Sequence, residues 1–220
     1  MVSNKILNFF FPAKCPFCRE VTDMGEVCPY CHDRVEMLKI PPHLRQINHR
    51  TLKHVDNCIS FYYSDGLVRK GVINAKIKSC KSFVSAFPRY VDFDFKAYFE
   101  RYSIDAVVSM PAHRSKFYNR EYDLPQYIAK AVADMGGAQY NNSLVIKVKR
   151  TRNQHNLNIR QRKSNLKDAF RASDAVKGKN IVIVDDIITS GNSLETVAKA
   201  LKQSGAATVV AVTFAYNNKI

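Results

Sequence analysis

Ile181-Val182-Ile183-Val184-Asp185-Asp186-Ile187-Ile188-Thr189-Ser190-Gly191-Asn192-Ser193 is the stretch that decides the fold. Four consecutive β-branched residues suit a central parallel strand covered on both faces, and polar groups arrive only at its carboxyl end. Open α/β sheets bind their ligands at that end. Thr189 to Ser193 then supplies small hydroxyls, one glycine and a run of backbone N–H groups at the start of a helix that continues through Leu194, Val197 and Leu201. Such a helix start attracts phosphate, because its first amides lack intrahelical partners and the macrodipole is positive there.

Asp185 and Asp186 lie just before this anion site. Carboxylates in that place would repel phosphate unless they face hydroxyls or a divalent cation. A ribose 5-phosphate meets both demands: its phosphate on the Thr189–Ser193 turn, its 2- and 3-hydroxyls on Asp185 and Asp186, with Mg²⁺ nearby. The plain alternative, a buried strand ending in solvated acids and a helix cap, accounts for single residues but does not require the whole ordered string. A P-loop is excluded, since no G-x-x-x-x-G-K-[ST] occurs in the chain.

Upstream, Ile59 to Tyr63 reads as a strand, turned by Ser64-Asp65-Gly66 into a helix with Leu67, Val68, Val72, Ile73 and Ile77. Arg69, Lys70, Lys76 and Lys78 are expected on its solvated side. Residues 81–102 interleave aromatics with charges, and one further helix with an apolar face is expected there. Ile104 to Ser109 is the next strand and leads into Met110-Pro111-Ala112-His113-Arg114. A tight turn at a strand's carboxyl end can aim amides at a pyrophosphate while Arg114 neutralises its charge; a solvated loop explains the same residues in isolation. A helix follows from Asp123 through Ala133, and Leu144-Val145-Ile146 reads as a third strand.

From Lys147 to Arg171 the chain is polar and strongly basic, with Arg150, Arg152 and Arg162 among its cations. A lid that closes over a pyrophosphate, excluding water and stabilising the leaving group's charge, is the expectation. An ordinary solvated loop or a nucleic-acid patch is the alternative. Ala207 to Phe214 reads as a terminal core strand.

Cys15-Pro16-Phe17-Cys18 and Cys28-Pro29-Tyr30-Cys31 form a C-x2-C-x9-C-x2-C arrangement. Both pairs can present their thiolates to one tetrahedral centre. Four thiolates leave no open position, which makes the site structural, and zinc is the expected metal. Thiol exchange and disulfides are the competing readings; two pairs so close together in a cytosolic context favour zinc over both. His32 is expected beside the site rather than in it, and isolated Cys58 and Cys80 should behave as small apolar residues. The module could bind nucleic acid, bind protein or brace its neighbour. Its sparse basic charge leans slightly to the last two.

The chain has 220 residues, 46% of them apolar, enough for one good core and a small appendage. Residues 35–57 carry Pro41-Pro42 and look like a connector. Residues 1–50 are therefore assigned to the metal-binding module and connector, and 51–220 to the main α/β domain. The 34 Lys and Arg against 19 Asp and Glu leave a formal charge of +15, which points to a polyanionic partner, either a pyrophosphate-bearing substrate or a nucleic acid. No apolar run approaches the ~20 residues needed to span a bilayer. The Ile6-Leu7-Asn8-Phe9-Phe10-Phe11 patch runs into Pro12 and a cysteine pair rather than a signal-cleavage site, so a cytoplasmic protein without membrane insertion is expected.

Ile181 to Ser193 resembles the phosphoribosyl pyrophosphate (PRPP) signature of type I phosphoribosyltransferases, matching across the thirteen residues without a gap. Nearly the whole chain resembles the ComF family of competence-associated, phosphoribosyltransferase-like proteins. The resemblance includes Leu7 to Pro12 and the cysteine pairs, then Tyr63, Gly66, Arg69, Ile73 and Lys76. It continues through Pro111 and His113, and Thr151, Gln154, Leu157, Arg162, Asn165, Leu166, Ala169 and Phe170. One departure is Arg120-Glu121-Tyr122-Asp123-Leu124, where the family usually reads R-G-F-N-Q.

The resemblance implies a mainly parallel sheet flanked by helices, with a small amino-terminal zinc module held by four cysteines. It implies Mg²⁺-PRPP as ligand, residues 111–114 as pyrophosphate loop, residues 149–171 as flexible lid, and a role in DNA uptake during natural transformation. It supplies no acceptor nucleophile. Two other classes of function stay open beside an enzyme: a module that senses PRPP or a nucleotide, or holds single-stranded DNA, and a scaffold on which the zinc module docks other competence proteins.

Overall fold

A computed structural model describes residues 14–22, 27–78, 81–112, 123–149 and 169–218. Among these, five parallel strands form one sheet: β1 (Asn57–Tyr63), β2 (Ala106–Ser109), β3 (Gln139–Tyr140), β6 (Asn180–Ile188) and β7 (Thr208–Tyr216), in the order β1-β7-β6-β2-β3. Strand β6 is central as its β-branched run requires, with Val108 opposite Ile183 on one side and Val212 opposite Val184 on the other. The last strand in sequence, β7, lies between β1 and β6.

Both faces are covered because β6 and β7 are apolar on both. One face carries Val182, Val184, Val210, Val212 and Phe214. It packs against α2 (Gly66–Lys78), α3 (Lys81–Tyr90), α4 (Phe95–Tyr102) and α5 (Leu124–Gly136), which contribute among others Val72, Phe87, Phe95 and Ile128. The other face, with Ile181, Ile183, Val209 and Ala211, packs against Leu194, Val197, Ala198 and Leu201 of α6 (Asn192–Gln203). Each fully buried aliphatic side chain contributes roughly 1.5–3 kcal/mol, which makes these two layers the main source of stability.

Where one helix is expected over 81–102, the chain forms two. Asp94 caps the second, its carboxylate accepting the Ala97 N–H at 2.9 Å, and the intervening Phe93 ring packs on Phe61, Phe95 and Tyr98. An N-cap needs non-helical backbone, so the helix cannot run through Asp94. Of the residues expected in a third strand, Val145 and Ile146 fall in β4 (Val145–Lys147). It pairs antiparallel with β5 (Phe170–Ala172) outside the main sheet. The α5 helix begins at Asp123 as its cap residue and ends on Gly137, whose φ of +71° suits the left-handed turn that stops a helix.

The helix α1 (Pro29–Glu36) leads into residues 37–47, which run along the outer edge of β1. Ile40 N–H donates to Phe61 O, Tyr63 N–H to Leu38 O, Ser60 N–H to Arg45 O and Ile47 N–H to Cys58 O. A parallel sheet's edge is thereby covered rather than left open. Arg45, only 6% exposed, donates to the Ile40 carbonyl and lies over the Phe61 ring. Cys58 is buried and its thiol is pushed up to about 12 by that burial, in keeping with a small apolar core residue; Cys80 lies outside the described residues.

Candidate functional site

The site is built where β6 ends. Val182 and Val184 face the α2 layer, and the next apolar residue packed into that layer is Ile187, while Ile188 turns to the α6 layer. Asp186, turned to Lys76 of α2, keeps the alternation of Val182 and Val184, which then changes phase between Asp186 and Ile187, although the pairing register with β7 is kept. Asp186 N–H donates to Asp185 Oδ1 at 2.9 Å. The two acids meet different surroundings. Asp186 is 2% exposed, and its Oδ1 lies 2.8 Å from Lys76 Nζ, while its Oδ2 has no hydrogen-bond partner among the described residues. Asp185 is half-buried, and burial first, then the neighbouring Asp186 charge, raise its carboxyl to about 8 against the opposing pull of Lys76.

Lys76 corrects the sequence reading. Its ammonium turns inward from α2 to neutralise a buried carboxylate instead of sitting on the solvated side with Arg69 and Lys70. An uncompensated charge at that depth would cost several kcal/mol, which is why a lysine on the adjacent helix is drawn in. Nothing in the sequence pairs Lys76 with Asp186; the hints of a second role are its part in the family resemblance and its place a helical turn after Val72, on the same face as that core residue.

Beyond the acids, Thr189 is exposed and Ser190 half-buried, and Gly191 takes a φ of +68° as the residue that opens α6. No side chain caps this helix start. Asn192 Nδ2 donates to Ser190 Oγ at 3.0 Å and Thr196 Oγ1 to Asn192 O at 2.7 Å, so the hydroxyls and amide of the turn form one linked set. A side chain at Gly191 would place its Cβ 3.2 Å from Leu52 and 3.3 Å from His49. Residues of the connector thus lie against the turn, a neighbour the sequence reading did not foresee.

Adjacent strand β2 brings Pro111 to the same edge of the sheet, its path set by the Met110 N–H donating to Val184 O at 2.8 Å. Pro111 is buried. The remaining expected site residues, His113, Arg114, Arg150, Arg152 and Arg162, lie outside the described residues.

At the other end of the chain, the four cysteines come together as their spacing predicts. The sulfurs of Cys15, Cys18, Cys28 and Cys31 all lie within 4.8 Å of one another, with Cys18 and Cys28 at 3.6 Å. A tetrahedron with metal–sulfur bonds of about 2.3 Å has edges of about 3.8 Å, so this cluster fits a four-thiolate metal centre. Burial raises the Cys15 thiol, but hydrogen bonding from the backbone at Cys18, Cys28 and Phe17 more than offsets it and leaves the thiol at about 7, whereas burial pushes the thiols of Cys18 and Cys31 up. His32 stays on the surface beside the cluster, hydrogen-bonded to Asp33.

Phe17, between the first two cysteines, joins the module to the domain. It is 2% exposed, meets Phe83 and Tyr90 edge-on, and has Asn74 Nδ2 donating to its carbonyl at 3.1 Å. Gly71 is required beneath it: a Cβ there would come within 2.4 Å of the ring.

With this geometry in place, residues 123–219 match the family model for the phosphoribosyl transferase domain. Over that stretch the chain is similar to the phosphoribosyl transferase domain. A region of 105 residues is 35% identical to the DNA utilization protein YhgH of Salmonella typhi, covering 48% of this chain and 46% of that one. A region of 104 residues is 26% identical to Competence protein F of Haemophilus influenzae, covering 46% and 45%. The chain thus spans about half the length of the curated relatives it matches. The glutamine PRPP amidotransferase from B. subtilis overlaps 50% of this chain and 22% of its own at 23% identity and a TM-score of 0.35, an overlap too partial to bear on the site.

Proposed function

We propose that the protein binds PRPP with Mg²⁺ at the carboxyl edge of β6 and acts as a phosphoribosyltransferase. The observation that carries the reading is the orphaned Oδ2 of Asp186, a buried carboxylate oxygen held next to Asp185 and one short turn before an uncapped helix start. A buried acceptor left without a donor costs about 1–3 kcal/mol, and a ligand hydroxyl or cation supplies what it lacks.

In this reading the backbone N–H groups and hydroxyls of Thr189, Ser190, Gly191, Asn192 and Ser193 hold the 5-phosphate. Asp185 and Asp186 hold the ribose diol. Pro111, His113 and Arg114 border the pyrophosphate, and Arg150, Arg152 and Arg162 close over it. Carboxylate and phosphoryl oxygens are the hard donors Mg²⁺ prefers, so the acid pair fits that ion, which supplies charge neutralisation on the pyrophosphate when bound. A nucleophile attacks the anomeric carbon, the bond to pyrophosphate breaks, and the transition state has oxocarbenium character. The protein's part is to hold the sugar, exclude water and set cations around the leaving group. No side chain of the chain is needed as a covalent nucleophile.

The four-cysteine cluster holds structural Zn²⁺ in this reading, and the protein works in the cytoplasm in DNA uptake; the two relatives are named DNA utilization protein and Competence protein F. Among the described residues, no helix is long and apolar enough to cross a membrane. Titration calorimetry of Mg²⁺-PRPP into the wild type and the Asp185→Asn/Asp186→Asn double variant tests the reading. Binding should fall on the order of a hundredfold or more in the variant, since Asp186 accepts from the ligand with a charge-assisted bond and neither amide can supply carboxylate charge to Mg²⁺. Equal affinity would refute it.

A second reading rests on the formal charge of +15: single-stranded DNA held on basic surfaces, with PRPP sensed rather than consumed. Changing Arg150, Arg152 and Arg162 to Ala separates the two. Lost pyrophosphate release with DNA retention intact favours the transferase; the reverse favours DNA binding.

A further inference from the structure

Residues 49–54, His49-Arg50-Thr51-Leu52-Lys53-His54, lie against the turn that follows the acid pair. His49 and Leu52 meet Gly191, and the His49 ring also meets Tyr216 edge-on at the end of β7. The segment is closed on itself by the Leu52 N–H donating to His49 O and the Thr51 N–H to His49 Nδ1. Its far end is fixed to the sheet: Asp56 and Val209 exchange hydrogen bonds, and Asp56 pairs with Lys202 at 2.7 Å.

The point of attachment is Glu195, in the first turn of α6. Its Oε2 accepts the Lys53 N–H at 2.8 Å and the His54 N–H at 3.0 Å, and its Oε1 accepts from His54 Nδ1 at 2.6 Å. A carboxylate in a helix's first turn suits the macrodipole, but there it competes with any anion for the same positive end. At a phosphate site this is a conflict of like charges. Both Glu195 oxygens are engaged by donors from one segment, which also carries Arg50, Lys53 and two histidines and no acid of its own.

We propose that residues 49–54 are a strap belonging to the phosphate site: by engaging Glu195 they make the first turn of α6 compatible with a bound phosphoryl group and hold Gly191 in its left-handed conformation. Glu195 and His54 are positioning residues. The chain between the four-cysteine module and the domain is therefore a wall of the ligand site, and ligand at residues 189–193 is sensed by the segment leading to the module. The inference deepens the phosphoribosyl reading and rests on it.

Ribose 5-phosphate is the probe, with ribose as the control lacking the anion, in calorimetry on the full chain. His54→Leu should weaken ribose 5-phosphate binding roughly tenfold by freeing one carboxylate oxygen. Adding Glu195→Gln to that variant should restore most of the affinity, because the restored binding tracks the removed charge and not the strap's packing. An unaffected His54→Leu variant, or a double variant as weak as the single, would overturn the strap while leaving the ligand reading intact. A wild type that does not bind ribose 5-phosphate would overturn both. A second measurement needs no variant: tryptic cleavage after the exposed Arg50 and Lys53 should slow at saturating ribose 5-phosphate, and an unchanged rate would overturn the strap.

Discussion

The four-cysteine cluster and the acid pair at the end of β6 are opposite solutions to gathering reactive groups. In the cluster every donor faces the others, and two of the four cysteines are fully buried, so the arrangement closes on itself and its product is stability. At β6 the donors are divided: Asp186 is turned inward to Lys76, Asp185 is only half-buried, and the turn beyond them is open at Thr189. A closed set holds a fold together. A divided set keeps one side for a ligand.

The largest expected effect is on the closed set. Replacing Cys15 and Cys31 with Ser should abolish the metal binding proposed for the cluster and unfold the module, because metal binding at such sites is worth on the order of 10–16 kcal/mol of folding free energy. Metal content by mass spectrometry and thermal melts check this, and a full-strength melt without metal would erase the contrast. Phe17→Ala comes next. It removes the ring wedged on Gly71 and should cost about 3–5 kcal/mol while leaving all four thiols in place, which separates the module's metal from its docking.

The divided set should respond to pH. The Asp185 carboxyl is raised from the ordinary 3.8 to about 8, so its protonated form is favoured by the fold. That contribution is fully present below about pH 4 and is lost as pH rises through about 8. Urea melts of the ligand-free protein at pH 5, 7 and 9 should weaken in that order, and Asp185→Asn should flatten the trend. The smallest effect is expected at Gly191→Ala: about 1 kcal/mol of stability from the strained left-handed backbone and the Leu52 contact, readable as a small shift in urea midpoint.

Much of this was legible before any tertiary structure. Ile181 to Val184 could only be an inner strand, and its neighbours on both sides are apolar as expected. The cysteine spacing led directly to the cluster. The reading failed where a residue's role depends on what packs opposite it. The helix expected over 81–102 is broken by the Asp94 cap and the Phe93 ring, which need β1 and α4 to be understood. The connector over 35–57 has no periodicity to announce it, yet it pairs with β1 and lies against the turn at Gly191.

The sequence by itself determined the ordered strand-acid-turn string and the paired thiols, since both are short-range patterns whose geometry follows from backbone spacing. Only the tertiary structure decided that β7 lies between β1 and β6, that Lys76 neutralises Asp186, and that Glu195 is tied to residues 53 and 54. These join segments far apart in the chain. Their partners are chosen by which layers must cover the sheet and by the cost of leaving a buried charge unpaired, and neither is written in any local stretch of residues.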